Sequence, residues 1–249
     1  LIKSILIIDF GSQYTHLIGR KIRELGLFCE IKPSRYVKDI TILDRHQCLI
    51  LSGGPDSVLS KKSPSLSIDI SQITIPILGI CYGFQYISHE LGGKILKTNN
   101  REYGNTLIEA LKSNLLFKNT PKSQKVWMSH GDSLNKLPKG FKVIAKTKNN
   151  IVAAITNNNN IYSLQFHPEV TPSDFGKEIL SNFLFKICKF KKNWSSINLN
   201  TNVKEYLNLN INEKEPSIIC AVSGGVDSTV LAFALSKHLT ASSKLFRFL

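Results

Sequence analysis

Residues 77–85 read Ile-Leu-Gly-Ile-Cys-Tyr-Gly-Phe-Gln, an apolar run that ends in a cysteine followed at once by small and amphipathic residues. This pattern predicts a strand, a sharp turn and a helix, with Cys81 in the turn and glycines around it that let the backbone pass closely. A helix N-terminus favours an anion, so Cys81 is a candidate nucleophile in its thiolate form. The alternative is a buried structural cysteine, the commonest fate of a free thiol.

A candidate base lies far downstream, in Gln-Phe-His-Pro-Glu at 165–169. His167 follows the apolar run 161–166, so we expect it at the carboxyl edge of the sheet, where open α/β sheets place their sites. Glu169 can orient the imidazole and stabilise its charged form, as in other nucleophile–base–acid triads. A histidine with a purely structural role at a strand end is the alternative.

The segment Ser52-Gly53-Gly54-Pro55 follows another apolar run, at 47–51. Its composition is typical of an ordinary turn. It also suits an oxyanion hole, because backbone without side chains can bring an N–H close to a developing negative charge. One such donor lowers a barrier by about 3 kcal/mol.

Strand and helix patterns alternate along the chain and predict an α/β fold. The predicted strands are 4–9, 28–32, 47–51, 77–80, 104–111, 142–147, 151–156 and 161–166. The predicted helices are 13–25, 37–43, the one that follows Cys81, and 174–190, with Asp174 as its cap. We therefore expect a mixed, mostly parallel sheet with helices on both faces, followed by an incomplete second α/β unit.

Three segments are predicted along the chain: a first domain over 1–192, an Asn- and Lys-rich linker over 193–215, and the start of a second unit over 216–249. In that unit a strand at 217–222 leads through a Gly-Gly loop into a helix at 229–239. Successive N–H groups in such a loop can wrap a phosphate, although it is not a Walker A loop. The candidate phosphate-binding residues are Ser223, Gly224, Gly225, Val226, Asp227 and Ser228.

The composition narrows the classes of partner. The 249 residues carry a formal net charge of +14, but lysine is spread along the chain without aromatic–basic interleaving, so we expect no nucleic-acid partner. The five cysteines are scattered and form no C-x-x-C pair, which argues for a reducing compartment and against a metal site. No apolar run approaches the ~20 residues of a membrane span, so we expect a cytoplasmic protein without a membrane partner.

Taken together, these motifs resemble the class I (triad) glutamine amidotransferases. Two further segments support the resemblance, Asp-Phe-Gly-Ser-Gln-Tyr at 9–14 and Trp-Met-Ser-His-Gly-Asp at 127–132. The Ser-Gly-Gly-Val-Asp-Ser loop at 223–228 is similar to the pyrophosphate loop of N-type ATP pyrophosphatases. An amidotransferase domain followed by that loop resembles the glutamine-dependent ligases that aminate XMP to GMP in purine biosynthesis.

The resemblance implies a role for each motif residue. Cys81 would attack the side-chain amide of glutamine, and His167, oriented by Glu169, would pass the proton to the leaving ammonia. The oxyanion and glutamine-pocket residues would be Gly53, Gly54, Tyr82, Gln85, Ser129, His130 and Asp132. This half would need no cofactor. In the second half of the family, ATP and Mg²⁺ activate XMP and ammonia displaces AMP, so the loop at 223–228 would bind ATP phosphates.

In that family the pyrophosphatase domain continues beyond the helix and is followed by a dimerisation domain that forms homodimers. Neither is recognisable in this sequence, so we expect a truncated synthetase half with an incomplete ATP site, and no complete GMP synthesis by this chain alone. A second hypothesis is a stand-alone glutaminase subunit that supplies ammonia to a separate partner chain. A third is a non-catalytic remnant that binds glutamine without turnover.

Overall fold

The computed structural model describes residues 3–110, 114–195, 220, 222–223 and 225–241, with the side chains of 98–101, 226–227 and 237–241 excepted. The chain divides into two compact units, Leu1–Asn193 and Trp194–Leu249. The first unit contains one nine-stranded sheet with helices packed against it. The second is represented among the described residues by a single helix and the loop before it.

The strands of the first unit are β1 Ser4–Asp9, β2 Cys29–Pro33, β3 His46–Leu51, β4 Ile77–Ile80, β5 Lys94–Ala110, β6 Ser123–Lys136, β7 Lys142–Thr147, β8 Val152–Thr156 and β9 Ile161–Leu164. Its α-helices are α1 Thr15–Glu24, α2 Tyr82–Glu90 and α3 Gly176–Ser181, the last continued by a π-helix over Asn182–Ile187. Short 3₁₀ turns cover Ser34–Tyr36, Ile40–Arg45, Ile70–Gln72 and Leu115–Phe117. In the second unit, α4 covers Val226–Ala241.

The strand order is β2-β1-β3-β4-β9-β8-β7-β5-β6. The pairs from β2 to β9 are parallel, and those from β9 to β6 are antiparallel. The predicted fold class, a mixed α/β sheet covered by helices, is confirmed for the first unit. The predicted strand 217–222 and the predicted linker 193–215 lie largely outside the described residues.

Strand β1 shows why the sheet is covered on both sides. Its residues are apolar at every position from Ile5 to Ile8, and alternate ones enter two separate cores. Ile5 and Ile7 pack in the core that contains α1 and α3, whereas Leu6 and Ile8 pack in the core that contains α2. A strand buried on both faces is the expected form for a parallel sheet between helices.

Two helix predictions were wrong. Residues 37–43 form no α-helix; the 3₁₀ turn Ile40–Arg45 begins there instead, and the Asp39 carboxylate accepts from the Thr41 N–H at its start. The helix predicted over 174–190 begins later, at Gly176, and changes to π geometry at Asn182. Asp174 does not cap it, because its carboxylate accepts from the Lys125 N–H of β6.

Strand β6 was not predicted at all, although it carries part of the site. Its side chains alternate between buried and more exposed along most of its length. Several of the buried positions are polar, among them Gln124, His130 and Asp132, so the apolar alternation that marks a half-buried strand is broken. Its partner β5 begins ten residues before the predicted strand 104–111.

No helix within the described part of the chain is both long and apolar enough to cross a membrane.

Candidate active site

Cys81 occupies a strained turn between β4 and α2. Its backbone has φ 51° and ψ −100°, which is unusual for a residue with a side chain. The turn is possible because Gly79 and Gly83 have no Cβ. A Cβ on Gly79 would lie only 2.7 Å from the Gly83 carbonyl, and a Cβ on Gly83 would collide with the Leu51 carbonyl. Strain of this kind persists only when the surrounding structure enforces it, and it is concentrated at functional sites.

His167 lies between the Cys81 thiol and the Glu169 carboxylate. Nδ1 of His167 is 2.7 Å from Oε1 of Glu169, and both side chains are almost fully buried. Burial by itself lowers the pKa of His167. The Glu169 charge, the hydrogen bond with Cys81 and the one with Glu169 outweigh that effect and raise the pKa to about 10. The ring therefore stays protonated at neutral pH.

The thiol of Cys81 also lies 3.5 Å from the Ser129 carbonyl on β6. Tyr14, which sequence reasoning missed as a site residue, packs edge-on against the His167 ring. The two ring centroids are 5.1 Å apart and the planes are inclined at 75°. No sequence signal beyond its place in the 9–14 motif points to this contact, because it joins loops that are far apart in the chain.

Gly53 and Gly54 bring backbone close to the cysteine and histidine. A Cβ on Gly53 would lie 2.9 Å from Cε1 of His167 and 3.6 Å from Cβ of Cys81. A Cβ on Gly54 would lie 2.7 Å from the Phe10 carbonyl and 3.4 Å from the Tyr82 ring. The N–H of Tyr82, the first residue of α2, has no carbonyl in its own helix to bond. Gly54 and Tyr82 line the same cavity as Cys81, so their N–H groups are candidate oxyanion donors.

A cavity of about 540 Å³ opens on one side of Cys81. Its walls come from the loop after β3, the start of α2, the β5 strand and the middle of β6. The lining residues are Gly54, Pro55, Asp56, Ser57, Cys81, Tyr82, Gln85, Lys97, Tyr103, Ser129, His130, Gly131 and Asp132. It combines carboxylates, a lysine, hydroxyls and backbone groups, a set that suits a small zwitterion.

Buried hydrogen bonds hold the floor of this cavity. Gln85 donates from Nε2 to the Asp132 carbonyl at 3.0 Å and to Oε1 of Gln165 at 3.3 Å. His130 contacts the Asp132 carbonyl through Nδ1 at 2.9 Å, and its Nε2 lies 3.3 Å from the Glu102 carboxylate. Gln85 and His130 line the cavity, and these bonds hold their side chains in place in its wall.

The carboxylate of Asp132, which also lines this cavity, accepts a hydrogen bond from the Ser57 hydroxyl. Ser57, Lys97, Glu102 and Tyr103 were not predicted as site residues. The last three reach the site because they flank a bulge in β5. Lys97 pairs with Asp132 and Glu102 pairs with His130, so residues 98–101 lie opposite Gly131 alone. Nothing in the sequence marks an insertion of that kind.

A second cavity, of about 350 Å³, also reaches Cys81. It is formed by the loop after β1 and by the turn that carries His167. Its lining residues are Gly11, Ser12, Gln13, Tyr14, Gly54, Pro55, Cys81, Ser129 and His167.

The loop at 223–228 belongs to the second unit. The Ser228 hydroxyl accepts from the Ser223 N–H at 3.2 Å and donates to the Gly225 carbonyl at 3.0 Å, at the start of α4. Gly224 lies outside the described residues, as do the side chains of Val226 and Asp227. Within the described parts of both units, no group of three or more His, Cys, Asp or Glu side chains is placed to hold a metal ion.

Cys81 thus lies in a strained turn at the carboxyl edge of the parallel strands and is hydrogen-bonded to a histidine that a carboxylate holds. This arrangement is typical of enzymes whose nucleophilic side chain attacks a carbonyl. The family "Glutamine amidotransferase class-I" matches residues 6–187, and the chain belongs to this family. Within it, the chain corresponds to the glutamine-amidotransferase half of the GMP synthases.

Two curated relatives illustrate this similarity. The chain is 45% identical over 241 residues to "GMP synthase [glutamine-hydrolyzing]" of Brachyspira hyodysenteriae, a match that covers 96% of this chain and 46% of that protein. It is 41% identical over 248 residues to the protein of the same name from Aquifex aeolicus, covering 99% and 48%. The chain thus spans about half the length of the curated relatives it matches.

Two solved structures share the fold. A Thermoplasma acidophilum protein, provisionally assigned as one subunit of a GMP synthase, has a TM-score of 0.70 and 33% identity, covering 76% of this chain and 95% of that one. A glutamine amidotransferase of Thermotoga maritima has a TM-score of 0.63 and covers 76% and 99%. The second is 20% identical and shows likeness of fold alone.

Proposed function

We propose that this chain hydrolyses glutamine to glutamate and ammonia at Cys81, and that the ammonia serves the amination of XMP to GMP. The observation that carries the first part is the buried contact of His167 with both the Cys81 thiol and the Glu169 carboxylate. A cysteine acts as a nucleophile when a histidine lies within hydrogen-bonding reach of its thiol and a third group orients that histidine, as Glu169 does here.

Each residue then has a defined step. The sulfur of Cys81 forms a bond to the amide carbon of glutamine, and the oxygen becomes an oxyanion held by the N–H groups of Gly54 and Tyr82. His167 gives its proton to the amide nitrogen as the C–N bond breaks and ammonia leaves. Water then attacks the γ-glutamyl thioester while His167 takes its proton, and the C–S bond breaks to release glutamate. Glu169 holds the imidazole in orientation through both halves.

The larger cavity is the place for the glutamine main chain. Asp132, fixed by Ser57, is suited to the α-ammonium group, and Gln85 and His130 keep the wall in shape. Ser129 contributes the carbonyl that touches the thiol. No cofactor is required for this chemistry, because the sulfur of Cys81 and the imidazolium of His167 supply the nucleophile and the acid.

The test is the release of ammonia and glutamate from glutamine by the purified chain. Wild type should turn over, and Cys81→Ala should lose about 10³-fold or more of that rate. Cys220→Ser removes a thiol of the second unit and should retain the rate. If Cys81→Ala binds glutamine but wild type releases no ammonia, the non-catalytic hypothesis is correct and this proposal is wrong.

The synthetase part of the proposal rests on the names of the relatives and on the loop at 223–228. The Ser223 and Ser228 hydroxyls at the start of α4 suit phosphate oxygens, so these residues fit the triphosphate of ATP; Gly225 is exposed beside them. When bound, ATP with Mg²⁺ would activate XMP for attack by ammonia. ¹⁵N-amide glutamine, XMP and ATP should give ¹⁵N-labelled GMP if this chain carries the whole reaction.

The Thermoplasma acidophilum match favours a second candidate, a glutaminase subunit that feeds a separate synthetase. That chain is covered over 95% of its length by this one. In this case, labelled GMP should form only when an ammonia-dependent synthetase chain is added. Labelled GMP from the present chain alone would exclude this second candidate.

A further inference from the structure

Cys81 lies where two cavities meet. The cavities of about 540 and about 350 Å³ share four lining residues, Gly54, Pro55, Cys81 and Ser129. Two of these, Cys81 and Ser129, are in contact through the thiol and the carbonyl. The nucleophile is therefore accessible from two directions, and the two sides can handle different chemical species.

The charges on the two sides differ. The larger cavity is lined by Asp56 and Asp132 and by Lys97. The smaller cavity is lined by no carboxylate, lysine or arginine, so its one charged group is the His167 imidazolium; apart from the four shared residues the rest of its wall consists of residues 11–14. A zwitterion is stabilised where opposite charges surround it, whereas a neutral molecule gains nothing from them. Glutamine thus fits the larger side and ammonia the smaller.

The position of the acid leads to the same assignment. His167 lines the smaller cavity and is absent from the lining of the larger one. The nitrogen that leaves must be next to the group that protonates it, and the water that replaces it must be next to the same group, which now acts as base. Both therefore pass on the His167 side of Cys81.

We propose that the smaller cavity, bounded by residues 11–14 and His167, is the passage through which ammonia leaves Cys81 and the deacylating nucleophile reaches it. This inference rests on the proposed glutaminase function. An enzyme that consumes ammonia would receive its substrate at the rim formed by residues 11–14, apart from the larger cavity that glutamine enters.

Gln13 is the residue of choice for a test, because it is exposed and lines only the smaller cavity. Gln13→Trp should narrow the passage, and Gln13→Ala is the matched control that leaves it open. Hydroxylamine competes with water for the thioester and gives γ-glutamyl hydroxamate. Since hydroxylamine is larger than water, Gln13→Trp should lower the hydroxamate-to-glutamate ratio roughly threefold or more and lower kcat, without raising KM for glutamine.

The reciprocal variant is Asp56→Asn in the larger cavity, which should raise KM for glutamine and leave the hydroxamate ratio unchanged. The inference is overturned if Gln13→Trp matches Gln13→Ala in kcat and ratio, or if it raises KM instead. Both outcomes are measured on a wild-type chain that releases ammonia from glutamine. A wild type that releases no ammonia contradicts the glutaminase proposal itself, so the two failures are distinct.

Discussion

The protonation of His167 is decided by opposing effects on one buried ring. Desolvation disfavours the charged form, and the Glu169 carboxylate 2.7 Å away favours it, together with the Cys81 contact. Because the favourable interactions win, the folded protein holds a proton on this ring that an unfolded chain would lose near neutral pH. The charge state of the site is thus linked to folding.

The free energy of unfolding should therefore fall as the pH rises from 6.5 towards 10. The pKa of His167 is about 10 in the folded protein against an ordinary value of 6.5, so its stabilisation is fully present below pH 6.5 and is lost as pH approaches 10. Glu169→Gln removes the main charge that raises this pKa and should flatten the decline. Urea unfolding of both proteins at pH 6, 8 and 10 measures the difference.

The control for this experiment is Glu178→Gln, which removes an exposed carboxylate on α3. Its pH dependence should follow that of wild type. An identical decline in Glu169→Gln and wild type would contradict the assignment of the His167 charge to Glu169.

Gly53 provides a second prediction for a single residue. Its Cβ would lie 2.9 Å from His167, whose ring is already held by Glu169 and Tyr14 and cannot retreat easily. Gly53→Ala should displace the imidazole from the thiol and reduce kcat for glutamine hydrolysis about 10- to 100-fold. KM should change little, because Gly53 does not line the larger cavity. Steady-state kinetics of the Gly53→Ala variant test this prediction. An unchanged kcat would contradict it and would show that the His167 ring has room to move.

The residues of the candidate triad were predictable, because strand ends of a parallel sheet meet at one edge and the chemistry of cysteine, histidine and glutamate is distinctive. Ser57, Glu102 and Tyr14 were not, since each reaches the site through a loop or a bulge whose path the local sequence does not specify. Gln85, by contrast, was expected in the pocket and lies there, with its amide bonded to Asp132 and Gln165.

At the level of elements, the turn between β4 and α2 stores strain at Cys81. A residue with a Cβ at φ 51°, ψ −100° costs about 1–3 kcal/mol, and glycine avoids that cost. Cys81→Gly should therefore be more stable than Cys81→Ala by about 1 kcal/mol, the reverse of the usual order for these residues. Chemical denaturation of the two variants provides the comparison. A more stable alanine variant would mean that the turn is relaxed.

Elements with uniform apolar patterns were predicted well, as β1 and β4 show, and elements with buried polar residues were not. Strand β6 places Gln124, His130 and Asp132 at buried positions because their side chains contact neighbouring loops and strand β5. The same polarity that builds the cavity wall removes the signal of the strand. The π-helix Asn182–Ile187 was likewise unpredictable, since Asn182 turns inward to donate to the Leu116 and Lys118 carbonyls.

For the whole molecule, all the residues of the candidate site at Cys81 belong to the first unit, Leu1–Asn193. The family match, residues 6–187, lies within the same unit. A chain that ends at Asn193 should therefore unfold cooperatively and release ammonia from glutamine at a rate within about threefold of the full chain. Thermal unfolding and a glutaminase assay on the two lengths provide the test. Loss of folding or of turnover would show that residues 194–249 are required.

The central claim is that the fold makes Cys81 the nucleophile for glutamine. The most direct measurement is intact-protein and peptide mass spectrometry after treatment with a diazoketone analogue of glutamine. We predict one label per chain, on Cys81, formed more slowly in the presence of glutamine and absent in Cys81→Ala. A chain that stays unlabelled, or is labelled at Cys220 at the same rate with and without glutamine, would contradict the account.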